Sequence, residues 1–80
     1  MNIRWQSSQW SVSADPGATD TAIVVWWEGQ TYQASYPICD CLVGSPTDRA
    51  LQALYRLSRT HPPLRQLYLL LLPRIRHARP

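Results

Sequence analysis

The hydropathy pattern of this chain changes period once, near Gly44. Upstream, apolar residues recur at every second position, the repeat of a strand with one buried face. Downstream they recur at every third and fourth, the repeat of an amphipathic helix. A run of strands followed by a run of helices predicts an α+β domain. The expected architecture is an antiparallel sheet of three or four strands packed by a C-terminal helix, with a second short helix and a basic tail. The 80 residues hold one domain and no more, because a chain this short buries only about 60–65% of its unfolded surface. The expected division is a β-meander over residues 1–43, helices over 45–60 and 63–72, and a mobile tail over 73–80.

In the first half, Trp10, Val12 and Ala14 alternate with Ser11 and Ser13, and Thr21 to Trp27 is mostly β-branched and aromatic. Asp15 to Asp20 contains Pro16 and Gly17 and reads as the turn between two strands. The first strand extends back toward Ile3 and Trp5. Trp5 and Trp10 have opposite parity, so a continuous strand sends them to opposite faces unless Ser7-Ser8 forms a bulge. A hairpin follows at Glu28-Gly29-Gln30, as a type II′ turn on Gly29-Gln30 or a less comfortable type I′ on Glu28-Gly29. Either register places Ile23, Val25 and Trp27 on the core face with Tyr32, Ala34 and Tyr36. Val24 and Trp26 fall on the other face. Pro37 belongs at an edge or bend, before a short last strand over Ile38 to Val43.

Ser45-Pro46-Thr47-Asp48 supplies an N-cap, a proline at the first helical position and an acid near the positive end of the helix dipole. Ala50, Leu51, Leu54, Leu57 and Ser58 form the expected buried stripe. Arg49, Gln52, Arg56 and Arg59 form the opposite stripe, expected to face solvent. His61-Pro62-Pro63 ends this helix. In the second helix, Leu64, Leu67 and Leu71 share one side. Tyr68, Leu69 and Leu72 share another, a candidate surface for self-association as a homodimer or for a partner.

The charge is as polarised as the hydropathy. Residues 1–48 hold Arg4 and all five acids, net −4; residues 49–80 hold seven arginines and no acid, net +7. Lysine is absent, and arginine favours bidentate contact with phosphate or carboxylate. The basic set is Arg49, Arg56, Arg59, Arg65, Arg74, Arg76 and Arg79. It reads as a surface for nucleic acid or an acidic protein, or as a solvated helix face with a charged tail. Four Trp and four Tyr with no Phe add residues that interfaces favour. Trp26 either joins the binding surface or packs under the N-terminal strand or second helix.

No chemistry-bearing constellation stands out. Cys39-Asp40-Cys41 has no second cysteine pair, and His61 and His77 lie far apart, so the cysteines read as small buried hydrophobes rather than metal ligands. The acids sit at turns and caps, and the three glycines stand alone, so neither acid–base catalysis nor a phosphate loop is indicated. No enzyme activity, cofactor or metal is expected. The longest apolar run, Leu67 to Leu72, is too short to span a membrane. The N-terminal residues lack the apolar stretch of a secretory signal, so a cytoplasmic location is expected, in the host cytoplasm for a phage-encoded chain.

From Thr21 to Ser58, about half of the chain, the sequence resembles the core of HicB-like antitoxins. In these a β-meander leads through a proline-containing segment into a capped Ala/Leu-rich helix. The residues that carry the likeness are Tyr36-Pro37, Cys41, and Gly44-Ser45-Pro46-Thr47-Asp48-Arg49-Ala50-Leu51. The resemblance implies a small protein that occupies another protein or binds nucleic acid, without catalysis.

Composition and size favour a non-enzymatic interaction protein: a phage or mobile-element inhibitor, anti-CRISPR-like, that blocks a host nucleic-acid-processing complex sterically or electrostatically. The alternative is a small nucleic-acid-binding regulator or antitoxin that uses the Arg-rich helix face. An assembly subunit that joins through its leucine helix is a third class.

Overall fold

The computed structural model describes residues 2–37 and 45–77, with side chains as far as Pro73. Four strands, β1 (Ile3–Gln6), β2 (Trp10–Pro16), β3 (Asp20–Trp27) and β4 (Gln30–Pro37), form an antiparallel meander in chain order. Two helices follow, α1 (Pro46–Thr60) and α2 (Leu64–His77). The α+β architecture read from the two periodicities is therefore the architecture of the molecule. The expected strand over Ile38 to Val43, with Cys39 and Cys41, lies outside the described residues.

The first turn differs from expectation. Rather than one strand with a bulge, β1 and β2 are separate strands joined by Ser7-Ser8-Gln9. The Ser7 N–H donates to the Trp10 carbonyl at 2.9 Å, and the Ser7 hydroxyl accepts from the Gln9 N–H at 3.2 Å. Reversing the chain over three residues removes the parity conflict, so Trp5 and Trp10 both reach the core face.

Register then follows the alternation. Val12 lies between Trp5 and Val25, Val25 pairs with Tyr32, and Ile23 lies between Ala14 and Ala34. Trp10, Val12, Ala14, Ile23 and Val25 are buried, while Val24 and Trp26 remain open to solvent on the opposite face. Glu28 and Gly29 both adopt positive φ, 51° and 78°, so the β3–β4 hairpin is the type I′ turn. Its twist matches that of the flanking strands, and this outweighs the cost of placing a glutamate in the left-handed region. Pro37 ends the edge strand β4, where its missing N–H interrupts no ladder.

Helix α1 begins in a complete capping box: the Ser45 hydroxyl accepts from the Asp48 N–H, and the Asp48 carboxylate accepts from the Ser45 N–H, each at 3.2 Å. It lies across the sheet with Ala50, Ala53, Leu54, Leu57 and Ser58 buried. Leu51, expected in this stripe, is only half-buried, and Ala53 takes its place. Helix α2 packs on α1 and buries Leu64, Leu67 and Leu71 completely.

The second helix also runs further than the sequence predicts. The boundary at Leu72 and the tail from Pro73 are corrected: α2 continues through Pro73 to His77. Proline removes one N–H, here the donor for the Leu69 carbonyl, but the N–H groups after it still reach back along the helix. No helix among the described residues is long and apolar enough to cross a membrane.

Candidate functional site: a groove between the two helices

Two triplets with the same spacing face each other at the α1–α2 junction. Tyr55, Ser58 and Arg59 stand at i, i+3 and i+4 on α1, and Arg65, Tyr68 and Leu69 repeat those offsets on α2. Such positions share one helix face. The short link His61-Pro62-Pro63 turns the chain tightly, because the His61 carbonyl accepts from the Leu64 N–H at 2.9 Å and the Pro62 carbonyl from Arg65 at 3.0 Å. With Pro62 at their end, the two triplets enclose a groove of about 420 Å³.

The groove is both aromatic and cationic. The rings of Tyr55 and Tyr68 meet with centroids 5.2 Å apart, tilted by 53° and so clear of the unfavourable face-to-face sandwich. The Arg59 guanidinium carbon lies 6.0 Å from the Tyr55 centroid, within the outer reach of a cation–π contact. Arg59 also stands in the last turn of α1, where a cation offsets the negative end of the helix dipole. The Ser58 hydroxyl donates to the Tyr55 carbonyl at 2.6 Å and is thereby tied to its own helix. Tyr55 and Leu69 are the exposed lips of the groove, and Tyr68 is half-buried at its wall.

The expected basic stripe on α1 is divided by the tertiary structure. Arg49, expected to face solvent, is half-buried and turned back onto the protein. Its Nη2 donates to the Gly17 carbonyl at 2.6 Å and the Thr21 hydroxyl at 3.3 Å, with the Asp20 carbonyl at 3.5 Å, while Nε is buried without a partner. The β2–β3 turn lies under the start of α1 and collects this side chain, so the Arg49 guanidinium is engaged within the fold rather than directed to solvent. Gln52, three residues further along α1, is half-buried.

Arg56 is exposed but lies over the ring of Tyr36, 4.9 Å from its centroid, at the β4 edge. Among the arginines whose side chains are described, Arg59 and Arg65 are the two that come together in the groove. Arg74 and Arg76 fall in the last turn of α2, and Arg79 lies outside the described residues.

The aromatic and self-association candidates are likewise redistributed. Trp26 stays 39% exposed on the sheet face turned away from the helices, so it packs under neither the N-terminal strand nor α2. The sheet itself separates it from the groove. Of the expected self-association residues, Tyr68 and Leu69 line the groove, and Leu72 is half-buried further along α2.

Tyr55, Ser58 and Pro62 join the site without having been expected there: Ser58 belongs to the expected buried stripe and Pro62 to the helix stop. The repeated i, i+3, i+4 offsets on either side of Pro62-Pro63 are the signal that could have found them. Among the described residues, no three His, Cys, Asp or Glu side chains gather as a metal site. Comparisons with protein-family models, with curated proteins and with solved structures return no match for this chain.

Proposed function

We propose that this protein is a non-enzymatic interaction protein that docks the groove between α1 and α2 on a larger nucleic-acid-processing complex and obstructs it. The observation that supports this reading is the convergence of Arg59 and Arg65 with Tyr55, Tyr68 and Leu69 in one concave surface. Arginine and tyrosine in a sheltered depression are the residues that carry binding energy at interfaces. Arginine's planar fork suits the phosphates and carboxylates that such a complex exposes. A phage or mobile-element inhibitor, anti-CRISPR-like, fits the size and the charge polarity of the chain.

The second reading, a small regulator or antitoxin that binds nucleic acid directly, draws on the same two arginines and the exposed Tyr55 ring beside them. Affinity capture separates the two. The tagged protein and its Arg59→Glu/Arg65→Glu variant are incubated with extract of the cells in which the protein acts, with and without nuclease. Retention of a nucleic-acid-processing complex that survives nuclease and is lost in the variant is the expected result. Capture that disappears with nuclease transfers the function to direct nucleic-acid binding. Equal capture by the two proteins removes the groove from either role.

A further inference from the structure

We infer that the α1–α2 groove is a subsite for one unpaired nucleotide, its phosphodiester held by Arg59 and Arg65 and its base laid against Tyr55. This rests on the second reading, direct nucleic-acid binding through Arg59 and Arg65, and it names what the groove takes.

Charge is the first reason. Two guanidinium groups and no carboxylate line the depression. Among the described residues, the side-chain hydrogen bonds made by arginine all belong to Arg49, which leaves the donors of Arg59 and Arg65 uncommitted to protein acceptors. A guanidinium carries its N–H groups in a fixed planar fork, which can grip a phosphate through two oxygens.

Shape is the second. The groove's volume of about 420 Å³ falls in the range of small-molecule sites, roughly 300–1,000 Å³. That suits a base with its phosphate. Tyr55 is 43% exposed and Leu69 56% exposed at the lips, so a flat apolar surface adjoins the cationic one. An acidic peptide brings carboxylates but no flat ring to cover Tyr55. A duplex keeps its bases stacked inside and offers the groove only phosphates. An unpaired nucleotide presents both surfaces at the separation of a single residue, as in other single-strand binders that combine basic grooves with stacking side chains.

The test is fluorescence polarisation of labelled single-stranded DNA and RNA of about ten nucleotides, long enough to fill one small binding site. The matching duplex and a polyglutamate peptide of equal charge are titrated in parallel at two salt concentrations. The single strand is expected to bind about tenfold tighter than either of the others. Arg59→Ala and Arg65→Ala should each flatten the salt dependence by about 0.7 in log–log slope. Tyr55→Leu should weaken binding about tenfold with the slope unchanged, the loss of one base stack. Arg4→Ala, which removes the same charge from the open face of the sheet, should leave the groove-dependent affinity in place.

Equal affinity for strand, duplex and peptide overturns the subsite, as does a loss under Arg4→Ala as large as under Arg59→Ala. Preferential binding of polyglutamate that depends on Arg59 and Arg65 also overturns it, yet leaves the protein-docking function standing. If none of the three anions binds, the subsite is again overturned, and nuclease-resistant capture from extract decides the docking function separately.

Discussion

Arg49 Nη2 lies 2.6 Å from the carbonyl oxygen of Gly17, joining the first turns of α1 to the β2–β3 turn across 32 residues of sequence. The same nitrogen reaches the hydroxyl of Thr21, a residue only 5% exposed. A charged donor on a carbonyl is worth more than a neutral one, and at this partly sheltered site it fixes the angle at which α1 enters the core.

Arg49→Ala is therefore expected to lower stability by about 1–3 kcal/mol, because it removes a charge-assisted hydrogen bond and leaves the Thr21 hydroxyl short of a partner. Urea denaturation monitored by Trp fluorescence measures the loss. Arg49→Lys should recover only part of it, since one ammonium cannot reproduce the fork. Oligonucleotide affinity at the groove should not change in either variant.

The leucines of α2 divide sharply. Leu67 is fully buried between the helices, and Leu69 is 56% exposed two residues later. Leu67→Ala should cost about 2–5 kcal/mol, the range for a buried leucine whose cavity closes incompletely. Leu69→Ala should alter stability by no more than about 0.5 kcal/mol, as for other exposed positions. Parallel thermal melts of the two variants make the comparison.

The β3–β4 hairpin carries a correctable strain. Glu28 holds φ at 51°, a region in which asparagine is far more comfortable than glutamate, and Asn-Gly is the preferred pair of a type I′ turn. Glu28→Asn should stabilise the protein by about 0.5–1 kcal/mol. Gly29→Ala, at φ 78°, should destabilise it by about 1–2 kcal/mol, although nothing stands within 4 Å of the added methyl. If both substitutions left the melting temperature unchanged, the positive-φ turn would be wrong.

Pro73 interrupts α2 without ending it. Pro73→Ala returns an N–H to the Leu69 carbonyl and removes a ring that crowds the preceding turn, an effect of about 3 kcal/mol in a helix interior. Only part of this should appear in global stability, because Leu71 is the last fully buried residue of the helix among the described side chains. The expected signature is a larger far-UV circular dichroism signal at 222 nm with a modest rise in melting temperature.

Local chemistry made much of this fold readable. The capping box needs only Ser45 and Asp48 three residues apart, and the faces of β2, β3 and β4 need only alternation. Helix α1 was legible for the same reason, since the spacing of Ala50, Leu54 and Leu57 is set by helix geometry alone. Three features depended on longer range. Whether Ser7-Ser8-Gln9 bulges or reverses depends on β1 gaining a partner strand. The passage of α2 through Pro73 overrides the local rule that proline ends a helix, because packing of Leu64, Leu67 and Leu71 against α1 holds the helix up to that point. The choice of a type I′ turn against a glutamate's own preference follows from strand twist.

The candidate site shows the same division. Its charge was written in the sequence: seven arginines without an acid from Arg49 onward are a property of composition, independent of folding. Which of them remain available is a property of neighbours. On the helical wheel Arg49, Arg56 and Arg59 fall within one sector of about 80°, yet they end on the β2–β3 turn, the Tyr36 ring and the groove. A guanidinium on a long flexible stem goes to the nearest acceptor or aromatic face, and where those lie is decided by how α1 crosses the sheet and how α2 folds back on α1. Residue order alone sets the two periods, the helix start and the cationic half. Packing of α1 on the sheet and of α2 on α1 turns one arginine inward and brings Arg59 and Arg65 to a single groove.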